Sequence, residues 1–191
     1  ADYLFAPTMK AKQTLLGEGI YQGKAFVTGN TIVDAVRLYL EPARKTVDID
    51  RQFHLAPQKY FLATLHRQEN TDHNDRFASI LEGLSGAAAR FKLPVIYPAH
   101  PRSRKLLDAL KKSPKGLKII DPVDFFSFLQ LESNARLILT DSGGVQEEAC
   151  ILHVPCVTLR DNTERPETVD TGANIVAGAS ADGIIESTER M

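Results

Sequence analysis

The run LTDSGGVQEEA at positions 139–149 passes from apolar residues suited to a strand, through Asp141, Ser142, Gly143 and Gly144, into residues suited to a helix. At a helix N-terminus the first backbone N–H groups have no intrahelical partner and the dipole is positive, so an anion is welcome there. Asp141 or Ser142 suffices as an N-cap on propensity alone, but capping does not require two glycines. Glycines remove the Cβ atoms that would hold a phosphate off the backbone. Ser142, Gly143 and Gly144 therefore read as a cradle for a diphosphate. By helical geometry Glu148 returns to within about 40° of Gly144 and lies roughly 6 Å further along the axis, where the ribose of a nucleoside diphosphate would present its hydroxyls. Glu147 points about 100° away and is left to solvent or to a structural pair.

Other polar groups follow apolar runs in the same manner. HRQEN at positions 66–70 supplies His66, whose imidazole can donate to a phosphate or a leaving oxygen in either accessible protonation state. Arg67 need not face the same way as its neighbour, and suits a second ligand or a domain interface. AHPR at 99–102 adds His100 and Arg102 as anion ligands, and RDNTERPE at 160–167 adds Arg165 just before Pro166, a residue suited to starting a helix. Arginine offers a planar fork for phosphate or carboxylate. The plainer reading of that loop is a surface cluster of Arg165 with Glu164 and Glu167. Of Phe125, Phe126 and Phe128 most belong to the core, with one ring near the cleft to pack against a base, a place assigned to Phe126.

The elements that must position these groups are legible as periodicity. Seven short apolar runs, at 24–30, 59–66, 94–100, 117–122, 136–144, 155–161 and 173–178, read as strands that end in turn or polar residues. Helical stripes lie at 31–40, 74–90, 102–112, 124–131 and 145–152. Strands alternating with helices predict a doubly wound α/β domain, a Rossmann-like parallel sheet covered on both faces. Ligands of such sheets bind outside the carboxyl ends of the strands, where the polar groups above converge. Residues 41–58, with Pro42, Pro57 and many charges, break the rhythm and read as a connector. The chain is accordingly divided into residues 1–46 and a compact domain over 47–191.

Composition narrows the function. The chain has 191 residues, enough for one domain with a full core or one domain plus part of another. Its 23 basic and 24 acidic side chains leave no large basic face, so nucleic acid is not an expected partner. No apolar run of about 18 residues and no signal-peptide pattern appears, so the expected setting is the cytoplasm, with no membrane partner. Cys150 and Cys156 lie in apolar surroundings without CxxC spacing and read as reduced structural thiols. The five histidines show no HExxH pattern, so no metal site is expected; GxGxxG and P-loop spacings are absent too. The opening ADYLFAPT begins with Ala1 and reads like the middle of a folded unit, which predicts a piece of a longer protein.

VTGNTIVDA, TLHRQEN, AHPR, LTDSGGVQEEA and RDNTERPETVDTGAN, in this order, closely resemble the non-hydrolysing UDP-N-acetylglucosamine 2-epimerases over essentially the whole chain. The resemblance implies the C-terminal half of a glycosyltransferase-B-like two-domain fold, in which residues 1–46 end the N-terminal domain and cross into a UDP-binding domain. It implies interconversion of UDP-N-acetylglucosamine and UDP-N-acetylmannosamine by elimination and return of UDP, with no NAD, metal or other cofactor. Ser142, Gly143 and Gly144 would hold the diphosphate, Glu148 the ribose, His66 the departing UDP, and Arg165 would close on the same site. Arg67 and His100 match a second, regulatory UDP-sugar site. The carboxylates that handle the C2 proton belong to the N-terminal domain, so this chain is expected to bind UDP without epimerising, and the full-length form to be a homodimer. Alternatives are a UDP-sugar glycosyltransferase half, a hydrolysing epimerase, and a nucleotide-sugar-binding module without catalysis.

Overall fold

The computed structural model describes residues 1–110 and 114–191, apart from the side chains of Asp50 and Arg102. In chain order the elements are β1 (Leu4–Ala6), α1 (Met9–Gly17), β2 (Ala25–Val27), α2 (Thr31–Thr46), α3 (Ile49–Phe53), β3 (Phe61–Thr64), α4 (Gln68–Thr71), α5 (Asn74–Phe91), β4 (Val95–Pro98), α6 (Pro101–Asp108), β5 (Leu117–Ile120), α7 (Phe125–Asn134), β6 (Leu137–Thr140), α8 (Gly143–Ile151), β7 (Cys156–Thr158), α9 (Pro166–Asp170), β8 (Asn174–Val176) and α10 (Ala181–Arg190). Among the described residues, β1 and β2 form a two-stranded parallel sheet. The other six strands form a parallel sheet in the order β5-β4-β3-β6-β7-β8, the doubly wound order of Rossmann domains.

Why both faces of the large sheet are covered follows from a period of two. On β3, Phe61 and Ala63 face one apolar cluster while Leu62, with Tyr60 just before the strand, faces another; β4 divides Val95 and Tyr97 from Ile96, and β6 divides Leu137 and Leu139 from Ile138. The first cluster is closed by Phe77, Ile80 and Leu84 of α5 and Ile184 of α10, and the second by Leu131 of α7 and Val145 and Ala149 of α8. A fully buried side chain of this kind contributes about 1.5–3 kcal/mol. The strands therefore read as continuous apolar runs, as parallel strands must when neither face meets water.

Each of the seven expected strands is present, although β2 lies in the small sheet, paired with β1, a three-residue strand too short to announce itself. The expected connector over 41–58 is corrected. Helix α2 continues through Pro42 to Thr46, and α3 follows within the same stretch. Proline removes one backbone donor, but Ala43 just beyond it is fully buried in a cluster with Val36 and Leu129 of α7, so packing carries the helix on. The expected helix over 102–112 starts at Pro101 and runs to Asp108; positions 111 and 112 lie outside the described residues. No helix among the described residues is long and apolar enough to cross a membrane.

Candidate functional site

The sheet order reverses between β3 and β6, and the crevice at the carboxyl ends of these two strands is where a doubly wound sheet accepts a ligand. A cavity of about 240 Å³ opens there, lined among others by His66, His100, Val123, Phe128, Ser142 and Val145. The rings of His66 and His100 stand 6.0 Å apart.

Asp141 organises this end of the sheet. It is fully buried, and its carboxylate accepts from the backbone N–H of His66 at 2.9 Å, the backbone N–H of Arg67 at 2.8 Å and Asn70 Nδ2 at 3.1 Å. His66 Nδ1 faces Asp141 Oδ1 at 3.2 Å, which leaves Nε2 as the imidazole's other polar edge. From behind, Tyr97 Oη and the Ser103 hydroxyl both donate to the carbonyl of Leu65. A histidine in a loop is thus held by an acid from the neighbouring strand end and by groups of β4 and α6. The sequence offers Asp141 only as an alternative N-cap to Ser142; its partners lie more than 70 positions away and leave no local mark.

The turn itself divides the tasks. Ser142 caps α8, its hydroxyl facing the N–H of Val145 at 3.5 Å. Neither Gly143 nor Gly144 has a positive φ, so backbone conformation does not demand glycine at either place. A Cβ on Gly143 would lie 3.3 Å from Glu164 Oε2 and 3.7 Å from Arg165 Cζ, which puts the 161–165 loop against the turn. A Cβ on Gly144 would have only the Ser142 hydroxyl within 4 Å, at 3.9 Å. The space over Gly144 is open, as a ligand approaching the helix N-terminus requires.

Arg165 pairs with Glu147 at 2.9 Å, and Glu147 also accepts from Asn30 Nδ2 at 2.7 Å, so the structural role expected for Glu147 is found, tying α8 to the start of α2. Glu148 is nearly buried beside Glu132 of α7. Burial first, and the neighbouring Glu147 charge, push its carboxyl up, against the opposing bond to Glu132. Phe126 does not line the cavity. It packs with Tyr39 and Phe125 against α2, while Phe128 faces the crevice. Two residues apart on a helix are about 200° apart, so only one of these rings can face the sheet end. Arg67 is engaged with Glu164 at 3.2 Å, whereas His100 lies in the cavity wall; the side chain of Arg102 lies outside the described residues. Cys150 and Cys156 are both free thiols, and burial pushes Cys156 up.

The family model described as UDP-N-acetylglucosamine 2-epimerase matches residues 1–191, the whole of this chain. The chain belongs to the UDP-N-acetylglucosamine 2-epimerase family. The UDP-N-acetylglucosamine 2-epimerase of Methanocaldococcus jannaschii is 51% identical over 199 residues, an overlap covering 100% of this chain and 54% of the relative. The crystal structure of the Methanocaldococcus jannaschii enzyme in complex with UDP-GlcNAc and UDP superposes with a TM-score of 0.90 at 49% identity, covering 100% of this chain and 54% of the other. That of the Neisseria meningitidis enzyme bound to UDP-GlcNAc superposes with a TM-score of 0.86 at 36% identity, covering 100% and 53%. The chain spans about half the length of the curated relatives it matches.

In this epimerase-family chain the 161–165 loop is anchored by charge. Glu164 takes Arg160 Nη1 at 3.1 Å and Arg67 Nη2 at 3.2 Å, and Arg160 also reaches Glu69 at 2.7 Å. Partial burial alone would raise the Glu164 carboxyl; Arg160 and Arg67 together outweigh it and hold it below the usual range. A carboxyl lowered by folding contributes stability that is present above its unfolded pKa and lost as pH falls through its folded one. Glu164→Gln is therefore expected to lower the thermal midpoint at neutral pH, where the parent has the full contribution of the pairing, and to converge with the parent as pH falls below about 4.5, so that its acid limb is flatter. A limb as steep as in the parent chain would show that the pairing adds nothing.

Proposed function

We propose that this chain is the nucleotide-holding, C-terminal half of a UDP-N-acetylglucosamine 2-epimerase, comprising a crossing segment over 1–46 and a UDP-binding domain over 47–191. The observation that carries the reading is the open space over Gly144, at the helix N-terminus whose Ser142 and Val145 line the same cavity as a histidine held by a buried aspartate. Diphosphate sits on the N–H groups of Gly143 and Gly144 and the hydroxyl of Ser142, whose own N–H is held by the Thr140 hydroxyl at 2.9 Å, with ribose on Glu148 and the base in the apolar wall that includes Val123 and Phe128. The bond from C1 to the diphosphate oxygen breaks with its electron pair passing to UDP, while the C2 proton leaves to a base of the other half, giving a 2-acetamidoglucal. Return of UDP and of a proton on the opposite face completes the inversion. Charge grows on the departing diphosphate, so donors fixed where it forms lower the barrier most. His66 and the helix N-terminus are such donors, and Arg165 is the group poised to join them when it exchanges Glu147 for phosphate. Arg67 and His100 are the groups of this half that a second UDP-sugar would meet. The same reading makes the full-length enzyme a cytoplasmic homodimer.

Calorimetric titration with UDP tests the assignment. Ser142→Ala and Glu148→Ala are each expected to weaken binding about tenfold, roughly 1.4 kcal/mol, in chains that remain folded. Unchanged affinity in both variants would remove the nucleotide from this turn. Conversion of UDP-N-acetylglucosamine by the 191-residue chain alone would overturn the assignment of the C2 proton chemistry to the missing half.

A further inference from the structure

Glu132 is fully buried on α7, between the apolar Leu131 and the α8 contact, and neither of its carboxyl oxygens meets a donor. Its polar neighbour is another carboxyl, that of Glu148. Two carboxylates side by side in a dry setting cannot both be ionised, so the pair retains a proton. Glu147 of α8, itself paired with Arg165, acts on Glu148; Glu132 and Cys150 act on Cys156 of β7; and α2 turns the apolar Val36, Leu40 and Ala43 toward α7 and α8, so no cation faces the pair directly among the described groups. Packing offers no reason for an acid here, since a leucine would fill a similar volume without a stranded charge.

We propose that Glu132 is a positioning residue for nucleotide recognition: it keeps the proton of the pair and donates it to one oxygen of Glu148, which fixes the other oxygen toward the ribose hydroxyls. The inference rests on the reading of Glu148 as the ribose ligand. Burial first, and Glu148 second, hold the Glu132 carboxyl well above the usual carboxylate range, in keeping with a retained proton. When alkali removes that proton, two charges face each other, the donor is lost and Glu148 swings free. An acid raised by folding weakens the fold increasingly as pH climbs from its unfolded pKa to its folded one. Glu132 thus lowers stability at neutral pH, and recognition is the gain that accounts for it.

Thermal unfolding and UDP calorimetry from pH 4 to pH 9 test this on the parent chain, Glu132→Leu, Glu132→Gln and Glu148→Gln. Glu132→Leu is expected to melt higher than the parent, by a margin that widens as pH rises, and to bind UDP at least fivefold more weakly. A purely structural role predicts a lower melting point, so a Glu132→Leu chain that is destabilised or fails to fold overturns the proposal. Glu132→Gln, whose amide donates the same bond but cannot lose a proton, is expected to match the parent at neutral pH and to keep its affinity on the alkaline side, where the parent's falls. A Glu132→Leu chain that binds UDP as the parent does, or a Glu132→Gln profile that falls in parallel with the parent's, overturns it too. The two readings separate through Glu148→Gln: if that variant weakens UDP binding and Glu132→Leu does not, the role of Glu132 alone is refuted. If Glu148→Gln binds normally, or the folded parent binds no UDP, the ribose reading falls and the inference with it.

Discussion

Asp141→Ala is expected to destabilise the chain by about 3 kcal/mol or more in urea unfolding, a loss in the range seen when one partner of a buried charged network is removed. The side chain is fully buried and receives the backbone donors of His66 and Arg67 together with the Asn70 amide. Deleting it strands these donors, and each buried unsatisfied donor costs about 1–3 kcal/mol. Asp141→Asn separates chemistry from space. It keeps the volume but turns an NH2 group toward N–H donors, so it is expected to lose nearly as much stability as alanine. A tolerated asparagine would mean that the carboxylate merely fills room. A loss below about 1 kcal/mol in Asp141→Ala, with the denaturant slope unchanged, would mean that the loop carrying His66 is held by the Leu65 carbonyl and its two hydroxyl donors alone.

Gly144→Val is expected to weaken UDP binding about a hundredfold or more, roughly 2.7 kcal/mol, while the unfolding free energy changes by less than about 1 kcal/mol. Helix propensity favours valine over glycine only slightly, and the protein places just the Ser142 hydroxyl near the new Cβ. Diphosphate seated on the first N–H groups of α8 would meet the added methyls directly. Gly143 serves as the control, because its Cβ would crowd Glu164 Oε2 at 3.3 Å and touch Arg165, and so bear on the loop as well as on the ligand. Valine at 144 that leaves UDP affinity intact would place the diphosphate elsewhere, whatever its effect at 143. The contrast is informative because it rests on two adjacent glycines that differ in what surrounds them.

Much of this arrangement was legible in the sequence, and the parts that were not share a cause. The turn at 141–144 and the strand before it are local patterns, as are the seven apolar runs, and the fold class follows from their alternation with helices. Ser142 as cap and Glu147 as structural partner were among the stated options. Asp141 was misjudged because the groups it holds come from the loop after β3. Phe126 was assigned to the crevice because the phase of α7 against the sheet end is set by α2, whose passage through Pro42 runs against propensity. Glu132 sits in FLQLESNARLIL, one position past the helix expected over 124–131, where a lone acid among apolar residues carries no local sign of its burial. Local chemistry is written in short windows; the tertiary partners of a side chain are not.

The bonds from Asp141 to the histidine loop span 74 and 75 positions, between strands that pair in parallel. A loop of that length closes late, because its entropy must be overcome before any of its contacts form. On the ribosome, the His66 loop therefore stays unordered until residue 141 has emerged and β6 has docked beside β3. Of the six-stranded sheet, β3, β4 and β5 are made first and leave one flank of β3 without a neighbour until then. The order of the His66 loop is thus set only after most of the sheet has been synthesised.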